Sequence, residues 1–325
     1  MITLNKNKDK DFVILNLSDF QLWASEWEPT SESAPKIRGT IDELYKRAKP
    51  DLVTITGDLA WSGDFDSLRG LAKVLESYEV PWTYVFGNHD QEDGLDALLK
   101  TVDFLAGYEH CIFEKGPYEL GAGNFVINIK EDDKIVHSMI LMDTHNRLPL
   151  EREDGQVSME WGKLIPEQLE WYKEQIKELK KLGSPESSLF THIPIYAYNK
   201  AWEAAHNKEY NQNSIMPWES SDPKYWNEGY KDSFGVRWEG ICSYPRDEGA
   251  FEVIKEMDHT KNLFCGHDHV NNFSVKYEGV RFTFVLKTTH GAYYKPELNG
   301  GTVMTVNQKG EMTVKHEYVD LYMQK

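Results

Sequence analysis

Five apolar runs in this 325-residue sequence end in side chains that bind cations or carry protons. Asp19 follows 12–17, Asp58 follows 52–56, and Asn88, His89 and Asp90 follow 82–86. His192 follows 188–190, and His267 with His269 follows 262–265. Two Asp, one Asn and three His suit a pair of hard or borderline cations that share a bridging carboxylate. Two such cations about 3.5–4 Å apart can clamp a phosphoryl group and generate hydroxide near neutral pH. Taken singly, each residue has a plainer explanation. Asp19 and Asp58 would serve as helix caps, His192 as a core histidine, and Gly266-His267-Asp268-His269 as a polar turn. They gain chemical meaning together, because a parallel sheet gathers the carboxyl ends of its strands at one edge.

The elements needed for that gathering are legible. A helix-period pattern over 37–48 (Ile37, Ile41, Leu44, Tyr45, Ala48) closes at Pro50, and a second over 65–78 precedes the run at 82–86. Strand–helix alternation of this kind predicts right-handed βαβ units, an α/β fold and a largely parallel sheet. The runs 125–129 and 135–142 flank a charged turn, read as a hairpin, and deliver Asp143. Pro166 opens a helix to about residue 182, and another is expected over 247–258. Strands at 273–276, 280–286, 302–306 and 312–316 are expected to finish the chain as an antiparallel meander. The stretch 198–245 holds Trp202, Trp218, Trp226 and Trp238 with little periodicity, which suits a lid or binding loop and equally an irregular packed excursion. No repeat or linker divides the sequence, so one domain is expected over 1–325.

Composition narrows the partners. A formal charge of −17 disfavours nucleic acid as a bulk partner, and an anionic substrate would need a local inversion of the field, which a metal pair supplies. Cys111, Cys242 and Cys265 are scattered, so neither a disulfide framework nor a thiolate zinc site is expected. The first residues lack an apolar core of signal-peptide length, and no run is long enough to cross a bilayer. No membrane partner and a cytoplasmic location are therefore expected.

Taken in order, Asp19-Phe20-Gln21, Gly57-Asp58, Gly87-Asn88-His89-Asp90, His192 and Gly266-His267-Asp268-His269 resemble the blocks of the calcineurin-like metallophosphoesterases. The run Gly266-His267-Asp268-His269-Val270-Asn271-Asn272-Phe273 is most similar to the purple-acid-phosphatase-like branch. The resemblance implies a two-sheet α/β/α sandwich with mixed sheets and a binuclear metal centre at the strand ends. It implies that Asp58 bridges two divalent ions (Mn, Fe, Zn or Mg). Asn88, His192 and His267 would complete one site, and Asp19 with His269 the other. His89 would stand beside the phosphate as general acid or transition-state donor, with Asp90 orienting it, and Asp143 would lie near the site. The implied activity is hydrolysis of small phosphate esters, a metal-bound hydroxide attacking phosphorus in line.

Two positions depart from the family pattern. Gln21 stands where the first block usually has His, and Trp61 stands where purple acid phosphatases use a Tyr. An amide oxygen from Gln21 could substitute as a hard ligand that favours Mn²⁺ or Mg²⁺, and no tyrosinate colour is expected. These departures keep a second reading open, a non-catalytic or regulatory protein on the same fold with a weakened first metal site. A nuclease is disfavoured by the acidic surface. The aromatic stretch 198–245 would suit an organic or nucleoside leaving group.

Overall fold

The computed structural model describes residues 1–230 and 232–321. The chain begins with β1 (Ile2–Asn5), β2 (Phe12–Leu17), α1 (Ala34–Ala48), β3 (Leu52–Thr56), α2 (Phe65–Glu76), β4 (Trp82–Val85) and α3 (Leu95–Leu105). It continues with β5 (Phe125–Glu131), β6 (Lys134–Leu141), β7 (Arg147–Glu151), β8 (Val157–Trp161), α4 (Pro166–Lys181), β9 (Ser187–Phe190) and α5 (Ala197–Ala205). The remaining elements are α6 (Ala250–Met257), β10 (Thr260–Cys265), β11 (Ser274–Tyr277), β12 (Val280–Phe284), β13 (Gly300–Val306) and β14 (Met312–Tyr318).

Two mixed sheets carry the architecture. One runs β1-β5-β6-β9-β10-β12-β11 and the other β14-β13-β2-β3-β4, with β7 and β8 a separate hairpin. Within them β2, β3 and β4 run parallel, as do β6, β9, β10 and β12. The sheets face each other across Phe12, Ile14, Leu52 and Val85 on one side and Ile127, Met139, Phe190 and Phe264 on the other, all buried. Helices α1 to α3 cover the outer face of the five-stranded sheet, and α4 to α6 that of the seven-stranded one. Strands covered on both faces need continuous apolar runs, which is what 12–17, 52–56 and 82–86 supply. Truncating a fully buried aromatic such as Phe190 to Ala removes contacts from both sheets, a loss of about 3–5 kcal/mol.

Local signals place the helices. Leu68, Leu71, Ala72 and Leu75 form the buried stripe of α2, and the Asp64 side chain caps it by accepting from the Ser67 amide. Lys49, in a left-handed conformation, ends α1 just before Pro50.

Two expectations are corrected. The last four strands do not form one meander. β11 and β12 close one end of the seven-stranded sheet, while β13 and β14 extend the five-stranded sheet beside β2. The chain crosses between the sheets at 285–299, where the Thr288 hydroxyl accepts from the Ser18 amide and the Thr288 amide donates to the Ser18 carbonyl. The stretch 198–245, expected to lack elements, starts inside α5. Tyr198, Ala201 and Trp202 pack there on the seven-stranded sheet, with the Trp202 ring 4.7 Å from Phe273. Only after residue 205 does the backbone become a series of turns.

At the far end from the candidate site, His137 of β6 joins the sheets. Its Nδ1 lies 3.1 Å from the Gly310 carbonyl in the β13–β14 turn, and its Nε2 lies 2.8 Å from the Ser188 hydroxyl. Burial holds this imidazole neutral, with its pKa pushed down to about 4.

Candidate metal centre

The two sheets contribute different chemistry to one edge. Asp19, Asp58 and Asn88 leave the carboxyl ends of β2, β3 and β4, so the oxygen donors come from the five-stranded sheet. His192, His267 and His269 leave β9 and β10, so the imidazoles come from the seven-stranded sheet. Strands β2, β3 and β10 turn sharply where they deliver their residues. Asp19, Gln21, Asp58 and His267 have φ of 54°, 45°, 53° and 75°, a left-handed backbone that non-glycine residues rarely adopt. Space between the blocks is tight. A Cβ at Gly57 would lie 2.3 Å from His192 Nδ1, and one at Gly87 would lie 2.1 Å from Asp58 Oδ1.

The donor atoms converge. Asp19, Asp58 and His269 each present one within 4.8 Å of the others, and all three are buried. Asp19 Oδ1 is 3.4 Å from His269 Nε2, and Asp58 Oδ2 is 3.4 Å from His192 Nε2. Asn88 Oδ1 lies 3.0 Å from His192 Nε2. The ring orientations are set from behind. His192 Nδ1 donates to the Thr56 carbonyl at 2.7 Å, and His269 Nδ1 donates to the Tyr293 carbonyl at 2.8 Å. A carbonyl only accepts, so each Nδ1 keeps its hydrogen and each Nε2 faces the carboxylates. His267 Nε2 is buried and has no hydrogen-bond partner among the described residues. An orphaned imidazole nitrogen in a buried cluster of carboxylates fits a cation ligand.

The electrostatics agree with a site built around positive charge. Burial alone would raise the Asp19 carboxyl, but His269, His192 and Lys287 outweigh it and hold that carboxyl below its ordinary range. Burial opposes charge on His192 too, and Asp58 with Asp19 overcomes it, raising the imidazole to about 10. His267, by contrast, is pushed down to about 3 by burial and by His192.

His89 stands 29% exposed at the mouth, its amide donating to Asp58 Oδ1 at 2.9 Å. The carboxylate on its ring is not that of Asp90. Glu92 Oε1 lies 2.6 Å from His89 Nδ1, because the short 3₁₀ turn at His89–Gln91 brings residues three apart to one side. Asp90 is turned inward and accepts from the Gly87 and Ala60 amides, fixing the turn that displays His89. Burial and the Asp58 charge raise its pKa to about 8. Asp143 accepts from the side-chain amide of Gln91 and from the Ala122 and His145 amides, so it braces the same turn from one side.

Gln21 differs from its expected pose. Its Nε2 donates to Asp58 Oδ2 at 2.6 Å, and its Oε1 faces Lys287 Nζ at 3.5 Å, so the oxygen points away from the Asp58 carboxylate. Lys287 was not anticipated, although it ends the apolar run 282–286 as the other site residues end theirs. Aromatic rings frame the centre. Trp61 meets His89 edge-on at 4.7 Å, Trp161 meets His267 at 4.4 Å, and Tyr293 stacks on His269 at 4.2 Å. Arg147 lies over Trp161, its guanidinium carbon 3.4 Å from the ring centroid.

The 206–245 excursion is fastened to the loop that carries His267 and His269. Asp268 accepts from the Cys242 amide, Asn271 from the Trp238 and Glu239 amides, and Asn272 from the Val236 amide.

A sequence model described as calcineurin-like phosphoesterase matches residues 12–271. The chain is 25% identical to "Probable inactive purple acid phosphatase 28" of Arabidopsis thaliana over 275 residues, covering 79% of this chain and 62% of that protein. It is 25% identical to "Phosphatase DCR2" of Saccharomyces cerevisiae over 304 residues, covering 84% of this chain and 46% of the yeast protein. The chain thus spans less than two thirds of the length of these relatives. Among solved structures, a dimetal phosphatase from Danio rerio superposes with a TM-score of 0.53 at 14% identity, covering 95% of this chain and 97% of that one, which is a likeness of fold.

Proposed function

The chain belongs to the calcineurin-like phosphoesterase family, and from that premise we propose that it hydrolyses small phosphate esters at a centre for two divalent cations. The single observation that carries this reading is the convergence of buried donor atoms from Asp19, Asp58 and His269, within 4.8 Å of one another. In this proposal Asp58 is shared, Asn88, His192 and His267 complete one site, and Asp19 with His269 serves the other. When bound, such a pair would supply Lewis-acid polarisation of the phosphoryl group and a nucleophilic hydroxide near neutral pH.

The protein's own groups do the rest. The Thr56 and Tyr293 carbonyls keep His192 and His269 turned toward the carboxylates. Glu92 holds His89 by Nδ1, leaving Nε2 to donate a proton to the departing ester oxygen or a hydrogen bond to the phosphoryl group. Asp90 positions that turn through two backbone amides rather than through the ring. Trp61 packs edge-on against His89 and Trp161 edge-on against His267, which restrains both rings.

A second reading, a binding protein that holds metal without turnover, is favoured by the pose of Gln21 and by the "probable inactive" names of relatives. Elemental analysis of purified protein, followed by assay of a phosphomonoester and a phosphodiester with Mn²⁺, Fe²⁺, Zn²⁺ and Mg²⁺ restored in turn, separates the two. Turnover that depends on added metal supports the enzyme. Tight metal binding without turnover on either ester class overturns it in favour of the second reading.

A further inference from the structure

Lysine is seldom buried, because its ammonium loses hydration that only strong partners replace. Lys287 is 2% exposed and lies at the metal centre. Its Nζ donates to the Asp19 main-chain carbonyl and faces Gln21 Oε1 at 3.5 Å. Gln21 Nε2 donates in turn to Asp58 Oδ2 at 2.6 Å. The three groups form a relay from a fixed cation, through a neutral amide, to the carboxylate that both cations would share. An amide facing an ammonium on one side and a carboxylate on the other has one favourable orientation, with oxygen toward the lysine and nitrogen toward the acid. Pinned to a main-chain carbonyl and buried, the Lys287 ammonium is held away from any substrate.

We propose that Lys287 is the positioning residue that makes the first cation, the one on Asp19 and His269, the weaker and exchangeable one. Two effects act together. The ammonium holds Gln21 as a donor to Asp58, so the position that elsewhere supplies a ligand supplies none. It also holds a buried amine against the Asp19 main chain, so any cation there must share that corner with the lysine. The first site is left with Asp19, Asp58 and His269 as its protein ligands. This inference rests on the reading of the site as a binuclear centre.

The test is calorimetric titration of the metal-free full chain with Mn²⁺, a readout independent of turnover. Wild type is expected to bind in two steps of unequal affinity. Lys287→Met should tighten the weaker step by about tenfold or more, since it removes a nearby like charge and frees the Gln21 oxygen to turn. Lys287→Arg, which keeps the charge, should leave the two steps apart. Gln21→Met should not weaken the weaker step, because Gln21 is not a ligand. A folded Lys287→Met variant with an unchanged or weaker second step overturns the proposal. So does loss of that step in Gln21→Met, which decides the matter even if Lys287→Met fails to fold. Two equal steps in wild type overturn the proposal while leaving the phosphoesterase reading intact. Absence of any Mn²⁺ binding overturns both.

Discussion

Glu92 Oε1 lies 2.6 Å from Nδ1 of His89, and the same histidine's amide reaches Asp58 Oδ1 at 2.9 Å. One residue is therefore gripped at its backbone by the buried Asp58 carboxylate and at its ring by a carboxylate of the rim. The grip leaves the ring little freedom except to present Nε2.

His89→Ala should lower turnover by about 10²–10⁴-fold, the usual range for a general acid, with metal content retained. The loss should shrink for nitrophenyl esters, whose leaving group needs no proton. Glu92→Gln should show the same pattern more weakly. Steady-state kinetics on good and poor leaving groups check this, and equal losses on both would assign His89 to binding alone.

His192→Ala and His267→Ala should each remove metal and activity together, because each deletes a nitrogen donor from a site with few ligands. Plasma emission analysis of the purified variants reads the metal directly. Full occupancy in either variant would contradict the ligand set.

Gly87→Ala should perturb the centre without touching a ligand by name. The added Cβ would meet Asp58 Oδ1 at 2.1 Å, and displacing that carboxylate moves a group both cations would share. Gly57→Ala adds a second fault, since its φ of 90° costs an L-residue roughly 1–2 kcal/mol beyond the clash with His192. Both variants should lose metal affinity, Gly57→Ala with the larger drop in Tm. Normal metal content in Gly87→Ala would mean the loop can shift freely.

Acid should weaken the fold through His137. Its folded pKa, pushed by burial to about 4, lies below the ordinary 6.5 of the unfolded chain. Between these values the unfolded state binds the proton that the folded state refuses. Stability therefore falls as pH drops from about 6.5 toward 4, by on the order of 3 kcal/mol for this residue, and levels below that. His137→Gln should flatten this part of the profile. Urea midpoints measured at about pH 7 and about pH 5 test it, and parallel acid limbs for wild type and variant would exclude His137 as the source.

The fold, and the residues of the candidate site, are legible in the sequence where signals are local. A strand buried on both faces reads as an apolar run, and its last polar residue falls at the sheet edge whichever sheet it joins. Asp19, Asp58, Asn88, His192, His267 and His269 are legible for that reason. Sheet membership is not local. Strands β11 to β14 look alike in sequence, and only the crossing tied by Thr288 to Ser18 sends the last two to the other sheet. Lys287 is not legible in the sequence because its partners, Asp19 and Gln21, are more than 260 residues away in the chain. Glu92 was within reach, three residues from His89, but choosing between it and Asp90 requires the turn geometry. The β7–β8 hairpin does alternate with period two, Leu148 and Leu150 in one strand and Val157, Met159 and Trp161 in the other, but Pro149 and the charged turn between them mask so short a pair.

The place of β13 beside β2 has a consequence for synthesis. A chain leaving the ribosome would have all its candidate metal ligands outside by residue 269. Strand β2, which leads into Asp19, would still lack the partner it finds in 302–306. Its unpaired edge would remain open to other chains until the last hairpin emerged. Any cation captured before that moment would be held by a half-finished wall, and the pairing of 302–306 with β2 becomes the step that seals it.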